Sequence, residues 1–342
     1  MIKLENIVRP NILELQPYAS ARDEFSGKEG VFLDANENPF GELNRYPDPY
    51  QKELKQQLAN LKRIDSNNIF VGNGSDEVID LAFRIFCNPG IEKALTFFPT
   101  YGMYDVSANI NNVELIKLPL NQDFQIDLEK VKPYLADNGV KLIFICSPNN
   151  PTGNLMNKSD IEFILSNFNG IVILDEAYID FTEENSLIDL INQYNNLIVS
   201  QTFSKAWGLA AARVGLAYAN SAIISLYNKV KPPYNVSELN QKAALKALEN
   251  IDDYQQNLAT ILNEKEQLKQ ALQQLDLVKK VYPSDANFLL IEVENADKIY
   301  VTLVTQKIIT RNRNKQVTNC IRISVGTPEE NQKLITALKN IQ

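Results

Sequence analysis

Short apolar runs alternate with amphipathic segments along the first two-thirds of the chain. The runs Ile69-Phe-Val, Ala94-Leu-Thr-Phe-Phe, Leu142-Ile-Phe-Ile-Cys, Ile171-Val-Ile-Leu and Leu197-Ile-Val are continuous rather than alternating. That is the pattern of strands buried on both faces. Val113–Leu120 and Val214–Ala219 read as two further strands. Between them, helices are predicted over residues 50–61, Ser75–Phe86, 127–136, 158–168, 186–194 and 221–231. In the first, Leu54, Leu58 and Leu61 recur at helical spacing. Strand and helix in alternation predict an α/β fold with a mostly parallel central sheet flanked by helices.

Pro232-Pro233 ends that rhythm. One long helix rich in Gln, Lys and Glu is predicted over residues 238–275. A strand at 287–293, a helix at Ala296–Thr305, strands at 307–311 and 320–325 and a helix from Pro328 follow. Asn11 to Tyr18 reads as a short helix and a turn. The expected division is a large α/β domain over 32–235 and a smaller α+β domain from 236–342, joined by residues 1–31 as an N-terminal arm.

Three polar residues stand where predicted buried strands end. Asn150 follows Lys141-Leu-Ile-Phe-Ile-Cys-Ser-Pro-Asn, Asp175 closes Gly170-Ile-Val-Ile-Leu-Asp, and Lys205 follows Leu197-Ile-Val-Ser-Gln-Thr-Phe-Ser. Each gap is about one β-α-β unit. In an open parallel sheet, ligands bind beyond the carboxyl ends of the strands. A lysine in an apolar pocket has a lowered pKa, and its neutral amine can form a Schiff base with a carbonyl. Thr202, Ser204 and Arg213 add donors suited to a phosphate. A surface lysine after a strand is the alternative for Lys205. Gly74-Ser-Asp opens the second helix, so Ser75 and Asp76 mark a further anion cup, or simply a helix cap. Tyr101, just past another strand end, could stack on a flat ring; Tyr104 is expected to pack in the core.

Charge and composition narrow the chemistry. With 34 Lys and Arg against 42 Asp and Glu, the net charge is −8, which argues against a nucleic-acid or anionic-membrane surface. No run approaches the roughly 20 apolar residues of a membrane span, and the N-terminus lacks a signal pattern, so the cytoplasm is the expected location. The 342 residues contain no histidine, which removes histidine metal sites, Ser-His-Asp triads and histidine general bases. Cys87, Cys146 and Cys320 are far apart and read as buried thiols. No metal is expected, and proton transfer falls to lysine, tyrosine, cysteine or a carboxylate.

Ser147-Pro-Asn-Asn-Pro-Thr-Gly, Asp175-Glu-Ala-Tyr and Ser204-Lys-Ala-Trp-Gly-Leu-Ala-Ala-Ala-Arg-Val-Gly, in this order, resemble the fold-type I pyridoxal-phosphate-dependent aminotransferases. Ala35-Asn-Glu-Asn-Pro-Phe-Gly, Asn44-Arg-Tyr-Pro-Asp, Gly74-Ser-Asp-Glu, Phe98-Pro-Thr-Tyr-Gly-Met-Tyr and Cys320-Ile-Arg-Ile-Ser-Val-Gly-Thr narrow the resemblance to the histidinol-phosphate aminotransferase family. It runs from about Pro17 to the last helix. The resemblance implies pyridoxal 5'-phosphate linked to Lys205, Asp175 on the pyridine nitrogen, and Tyr178 with Asn150 on the ring oxygen. Tyr101 would stack on the ring. Ser75, Asp76, Thr202, Ser204 and Arg213 would hold the phosphate, with Tyr46 reaching in from the second copy of a homodimer.

The implied reaction moves an amino group between L-histidinol phosphate and 2-oxoglutarate, in histidine biosynthesis. Both amino donors of that cycle carry a distal anion. Arg322, which interrupts an apolar run, and Arg311 are the candidates to bind it, with Tyr18, Arg22 and Asn287 nearby. Lys307 stands where the family usually has glycine, and the loop 313–319 is shortened. Threonine-phosphate decarboxylases and aromatic aminotransferases share much of this pattern and remain alternatives. A regulatory module that binds the same cofactor without catalysis is disfavoured by the complete catalytic set and by the lack of a basic segment.

Overall fold

The structure, a computed structural model, describes residues 3–18 and 30–341. Two sheets organise it. The large one has seven strands: β1 (Ile69–Asn73), β2 (Lys93–Phe98), β3 (Glu114–Pro119), β4 (Val140–Cys146), β5 (Ile171–Asp175), β6 (Leu197–Thr202) and β7 (Val214–Ala219). Their order across the sheet is β1-β7-β6-β5-β4-β2-β3. Only β7 runs against its neighbours, pairing antiparallel with both β1 and β6. The other pairings, β2 with β3 and β4, β4 with β5 and β5 with β6, are parallel.

This topology positions the site. Six strands, β1 to β6, run the same way and end at one edge, and the reversed β7 begins there. Arg213, one residue before β7, therefore joins Asn150, Asp175 and Lys205 although it precedes a strand and they close or follow one. The strands hold their places by burial. β5 and β6 are buried along their whole length, and β4 nearly so. Each such Val, Leu or Ile contributes roughly 1.5–3 kcal/mol. Separate apolar clusters lie on the two faces: Leu95, Ile143 and Val199 on one, and Phe70, Phe144 and Ile173 on the other.

The second sheet is antiparallel throughout, ordered β10-β11-β9-β8. Its strands are β8 (Val278–Val281), β9 (Phe288–Val293), β10 (Arg311–Asn312) and β11 (Cys320–Ser324). Leu289, Ile291, Ile321 and Ile323 form one face and pack on Leu268, Leu303 and Leu338 of the flanking helices. The alternate residues Phe288 and Arg322 occupy the opposite face. Phe288 packs with Ala177, Tyr178 and Ala206, so that face closes on the carboxyl edge of the large sheet.

Several predicted elements change. The expected single helix over 238–275 is two, Glu238–Glu249 and Ile251–Gln273, broken at Asn250. The first of these packs Ala244 into the core of the large sheet. The described N-terminal residues do likewise: Ile7, Val8 and Ile12 join the cluster of Phe70 and Phe144. Residues 186–194 hold a 3-10 helix, Leu187–Asn192, rather than a full α-helix. The predicted strand 307–311 contributes only β10, because Lys307 takes a left-handed turn at φ 61°. β8 and the helix Met103–Ile110 were not expected from the pattern.

Candidate active site

Asp175 is the last residue of β5 and only 3 % exposed. Burial raises its pKa, and two donors oppose that: Tyr104 Oη at 2.7 Å from Oδ2 and the Ala177 N–H at 3.1 Å from Oδ1. A carboxylate held this deep calls for a cationic partner. Tyr104 is fully buried, packs on Phe144 with ring centroids 5.0 Å apart, and so orients the carboxylate as well as filling the core. Core packing is therefore a correct but incomplete account of Tyr104. Its partner lies 71 residues away, and the sequence pattern offered no signal for the pairing.

Lys205 sits in the turn that follows β6. Burial first, and the Arg322 charge second, push its pKa down. Its Nζ stands 5.5 Å from the centre of the Tyr178 ring. Tyr178 accepts a hydrogen bond from Asn150 Nδ2 at 3.3 Å, and burial raises its phenol pKa. Asn150 uses its other end as well, because Arg322 Nη1 donates to its Oδ1 at 2.5 Å. One amide thus joins the two sheets. Its loop is locked by Asn149, fully buried and donating to Pro99 O and Thr152 Oγ1.

The anion cup lies beside this cluster. Helix Ser75–Phe86 starts after Gly74, whose φ of +80° suits glycine. A Cβ at Gly74 would meet Arg213 Nη2 at 2.5 Å, and one at Gly215 would lie 2.2 Å from the Ser75 nitrogen. Both glycines therefore let the helix N-terminus, Arg213 and β7 crowd together. Arg213 Nη2 donates to Asp76 Oδ2 at 3.1 Å, and Tyr101 Oη donates to Asp76 Oδ1 at 3.1 Å. Thr202 Oγ1 donates to Ser204 Oγ at 3.0 Å. Free N–H groups at a helix start, two hydroxyls and a guanidinium suit a phosphate. With a lysine of lowered pKa and a buried carboxylate beside them, the residues present fit pyridoxal phosphate.

The remaining candidates fall into two groups. Arg322 (β11) and Arg311 (β10) are cross-strand partners. Asn287 is half-buried just before β9, and its carbonyl accepts from Val325. Tyr46 and Tyr18 lie away from this cluster. Tyr46 is 50 % exposed and stacks on Tyr234 at 4.3 Å, while Tyr18 is 69 % exposed beside Pro49, Lys231 and Tyr234. Arg22 lies outside the described residues. Among the described residues there is no cluster that could hold a metal ion and no helix long and apolar enough to cross a membrane.

The model of one protein family, aminotransferases of class I and II, matches residues 26–338. The chain belongs to this family. The aminotransferase is 50 % identical, over 99 % of its length and 98 % of the relative's, to a histidinol-phosphate aminotransferase of Christiangramia forsetii. It is 49 % identical to one of Parabacteroides distasonis over the full length of both.

Solved structures agree on the fold of this aminotransferase. A histidinol-phosphate aminotransferase from Clostridium acetobutylicum superposes with TM-score 0.80 at 26 % identity, covering 87 % of this chain and 91 % of that one. One from Sinorhizobium meliloti, in complex with pyridoxal-5'-phosphate, gives 0.80 at 23 % identity over 90 % and 89 %. An L-threonine-O-3-phosphate decarboxylase from Porphyromonas gingivalis gives 0.73 at 25 % over 87 % and 91 %.

Proposed function

We propose that this aminotransferase is a histidinol-phosphate aminotransferase that holds pyridoxal 5'-phosphate between Asp175, Lys205 and the Ser75–Arg213 cup. The relatives that carry this description match it at about half identity from end to end. The observation that carries the site reading is the seam at Asn150, where the lysine cluster and an arginine meet on one side chain. An amino group can react on one side of that seam while an anion is held on the other.

Bound pyridoxal phosphate supplies an electron sink for negative charge at the substrate α-carbon. Lys205, with its lowered pKa, is the group that takes the α-proton and returns it. Asp175, oriented by Tyr104, keeps a proton on the ring nitrogen. Tyr178 and Asn150 would donate to the ring oxygen, and Tyr101 would cover the ring. Ser75 and Asp76 through their N–H groups at the helix start, the Thr202 and Ser204 hydroxyls, and Arg213 would anchor the phosphate. Arg322 and Arg311 bind the distal phosphate or carboxylate of the two substrates, with Asn287 lining the pocket.

The working form is a homodimer. Val31, Leu33 and Phe40 are each more than 80 % exposed, and the same segment carries Tyr46. Large exposed apolar side chains in one stretch favour a covered interface, from which Tyr46 enters the partner's cup. The packing of Ile12 and Ala244 favours a domain boundary near Asn250, with the small domain built on the four-stranded sheet. A phosphorylated biosynthetic substrate and 2-oxoglutarate suit a cytoplasmic enzyme.

Purified holoenzyme mixed with L-histidinol phosphate is expected to lose the absorbance of the lysine–cofactor linkage, and 2-oxoglutarate should restore it with release of glutamate. No change with L-histidinol phosphate, but carbon dioxide release from threonine phosphate, would instead identify a decarboxylase.

A further inference from the structure

The arginine face holds a third guanidinium that neither the motif reading nor the proposed mechanism uses. Arg313 follows β10, and its N–H donates to Cys320 O, which extends the antiparallel pairing with β11 by one residue. Strand alternation puts Arg313 on the same face as Arg311, and Arg311 sits opposite Arg322. Three like charges share one patch of a small sheet. Like charges directly opposite each other are destabilising unless something neutralises them.

Two of the three are bound in the same way. Arg322 is anchored through Nη1 by the Asn150 carbonyl, and Arg313 through Nη1 by the Gln316 carbonyl at 3.1 Å. Both keep a buried Nε–H with no hydrogen-bond partner. A buried donor left unpaired costs about 1–3 kcal/mol, so its persistence in two neighbouring side chains needs an explanation. Burial, then the charges of Arg322 and Arg311, push the Arg313 pKa down to about 10, and the Tyr178 phenol is close enough to act on it in the opposite sense. Arg313 remains charged at neutral pH and lies on the sheet face that Arg322 presents to Asn150.

The loop that carries it is rigid. Asn312 and Asn314 both donate to the Asp297 carboxylate, and Asn319 N donates to Asn314 Oδ1 at 2.8 Å. The loop thereby delivers Arg313 to the sheet face with little freedom to lose on binding.

We infer that Arg313 is a further anion-binding residue of the substrate pocket, acting with Arg322 to favour a dianionic phosphate monoester over a single carboxylate. This inference rests on the proposed two-substrate reading. A phosphate has three terminal oxygens and two charges, and so can engage the guanidinium ends of more than one of these arginines at once. A carboxylate has two oxygens and one charge, and is served by one fork.

The test uses holoenzyme of the wild type, Arg313→Gln and Arg313→Lys, with each half-reaction followed by the cofactor absorbance. For Arg313→Gln, KM for L-histidinol phosphate is expected to rise about tenfold or more, the size of one lost charge-assisted hydrogen bond. KM for glutamate should change less than about threefold, kcat for both should hold, and lysine should restore part of the loss. Equal KM changes for both substrates, or none, would overturn the inference. A wild type that reacts with glutamate but not with L-histidinol phosphate would sink the substrate reading instead. The arginine then still answers to a second probe, competitive inhibition of the glutamate half-reaction by glycerol 3-phosphate. An inhibition constant raised about tenfold in Arg313→Gln supports the anion role, and an unchanged one refutes it.

Discussion

The carboxyl edge of the large sheet and the arginine face of the small sheet meet at Asn150, yet they are finished to different degrees. At the large sheet, Tyr104 already holds Asp175, Tyr101 and Arg213 hold Asp76, and Thr202 holds Ser204 through hydrogen bonds. At the small sheet, Arg313 and Arg322 each keep an unpaired buried Nε–H and face like charges. The first region is organised before anything binds, as a site for a resident group should be. The second is organised in position but unsatisfied in charge. That suits an anion which arrives and leaves twice in each catalytic cycle.

The largest expected effect falls on the preorganised side. Lys205→Ala should abolish the absorbance of the lysine–cofactor linkage and lower turnover by at least about 10²–10⁴-fold, the usual range for a lost general acid–base group. Retained turnover together with that absorbance would remove Lys205 from the centre of the site. Tyr104→Phe comes next. It keeps the ring that packs on Phe144 and deletes one hydrogen bond to a buried carboxylate, worth about 1.5–3 kcal/mol. Turnover should fall roughly tenfold or more, and the cofactor should dissociate more readily at alkaline pH, where its ring nitrogen is hardest to keep protonated. A variant with the wild-type pH profile would make Tyr104 a packing residue only.

Coupling between the two regions can be read from pH. The Arg322 charge is the second cause, after burial, of the lowered pKa of Lys205. Removing that charge lets the pKa rise, so less neutral amine is present at a given pH. Arg322→Gln should therefore move the acid limb of the kcat profile to higher pH, and Arg322→Lys, which keeps the charge, should leave it in place. An acid limb that stays put in Arg322→Gln would separate the two regions electrostatically.

The two regions also differed in how far they could be read in advance. Strands buried on both faces leave continuous apolar runs, so the ends that carry Asn150, Asp175 and Lys205 were legible. The α/β architecture followed from their alternation with helices. Arg213 was legible as a candidate phosphate donor, but its place depends on the reversal of β7, which pattern alone does not reveal. Tyr104 and Asp175 are joined only by the fold. In the small sheet the signals are weaker. β8 is four residues with Lys279 and Lys280 exposed, and β10 is only two residues long. Arg313 passed unnoticed because it stands beside a motif arginine in a loop, where an arginine is by default a solvated one. Its partial burial and its buried, unpaired Nε are visible only in three dimensions.

The smallest expected effect concerns the backbone that feeds the arginine face. Lys307 has φ 61°, and the turn it makes closes with its N–H on Val304 O at 2.9 Å. A non-glycine residue there costs roughly 1–2 kcal/mol, while glycine gives back about 0.4–1 kcal/mol through the greater freedom of the unfolded chain. Lys307→Gly should therefore raise stability by about 1 kcal/mol or less, measured as a shift of the chemical-denaturation midpoint, with both half-reactions unchanged. A loss of stability would mean that the lysine side chain contributes contacts that outweigh the strain of its turn. A gain with altered KM for the phosphate substrate would be more informative. It would show that the position of Arg311 and Arg313 depends on this turn, and that the unsatisfied face is held less firmly than the Asp297 hydrogen bonds imply.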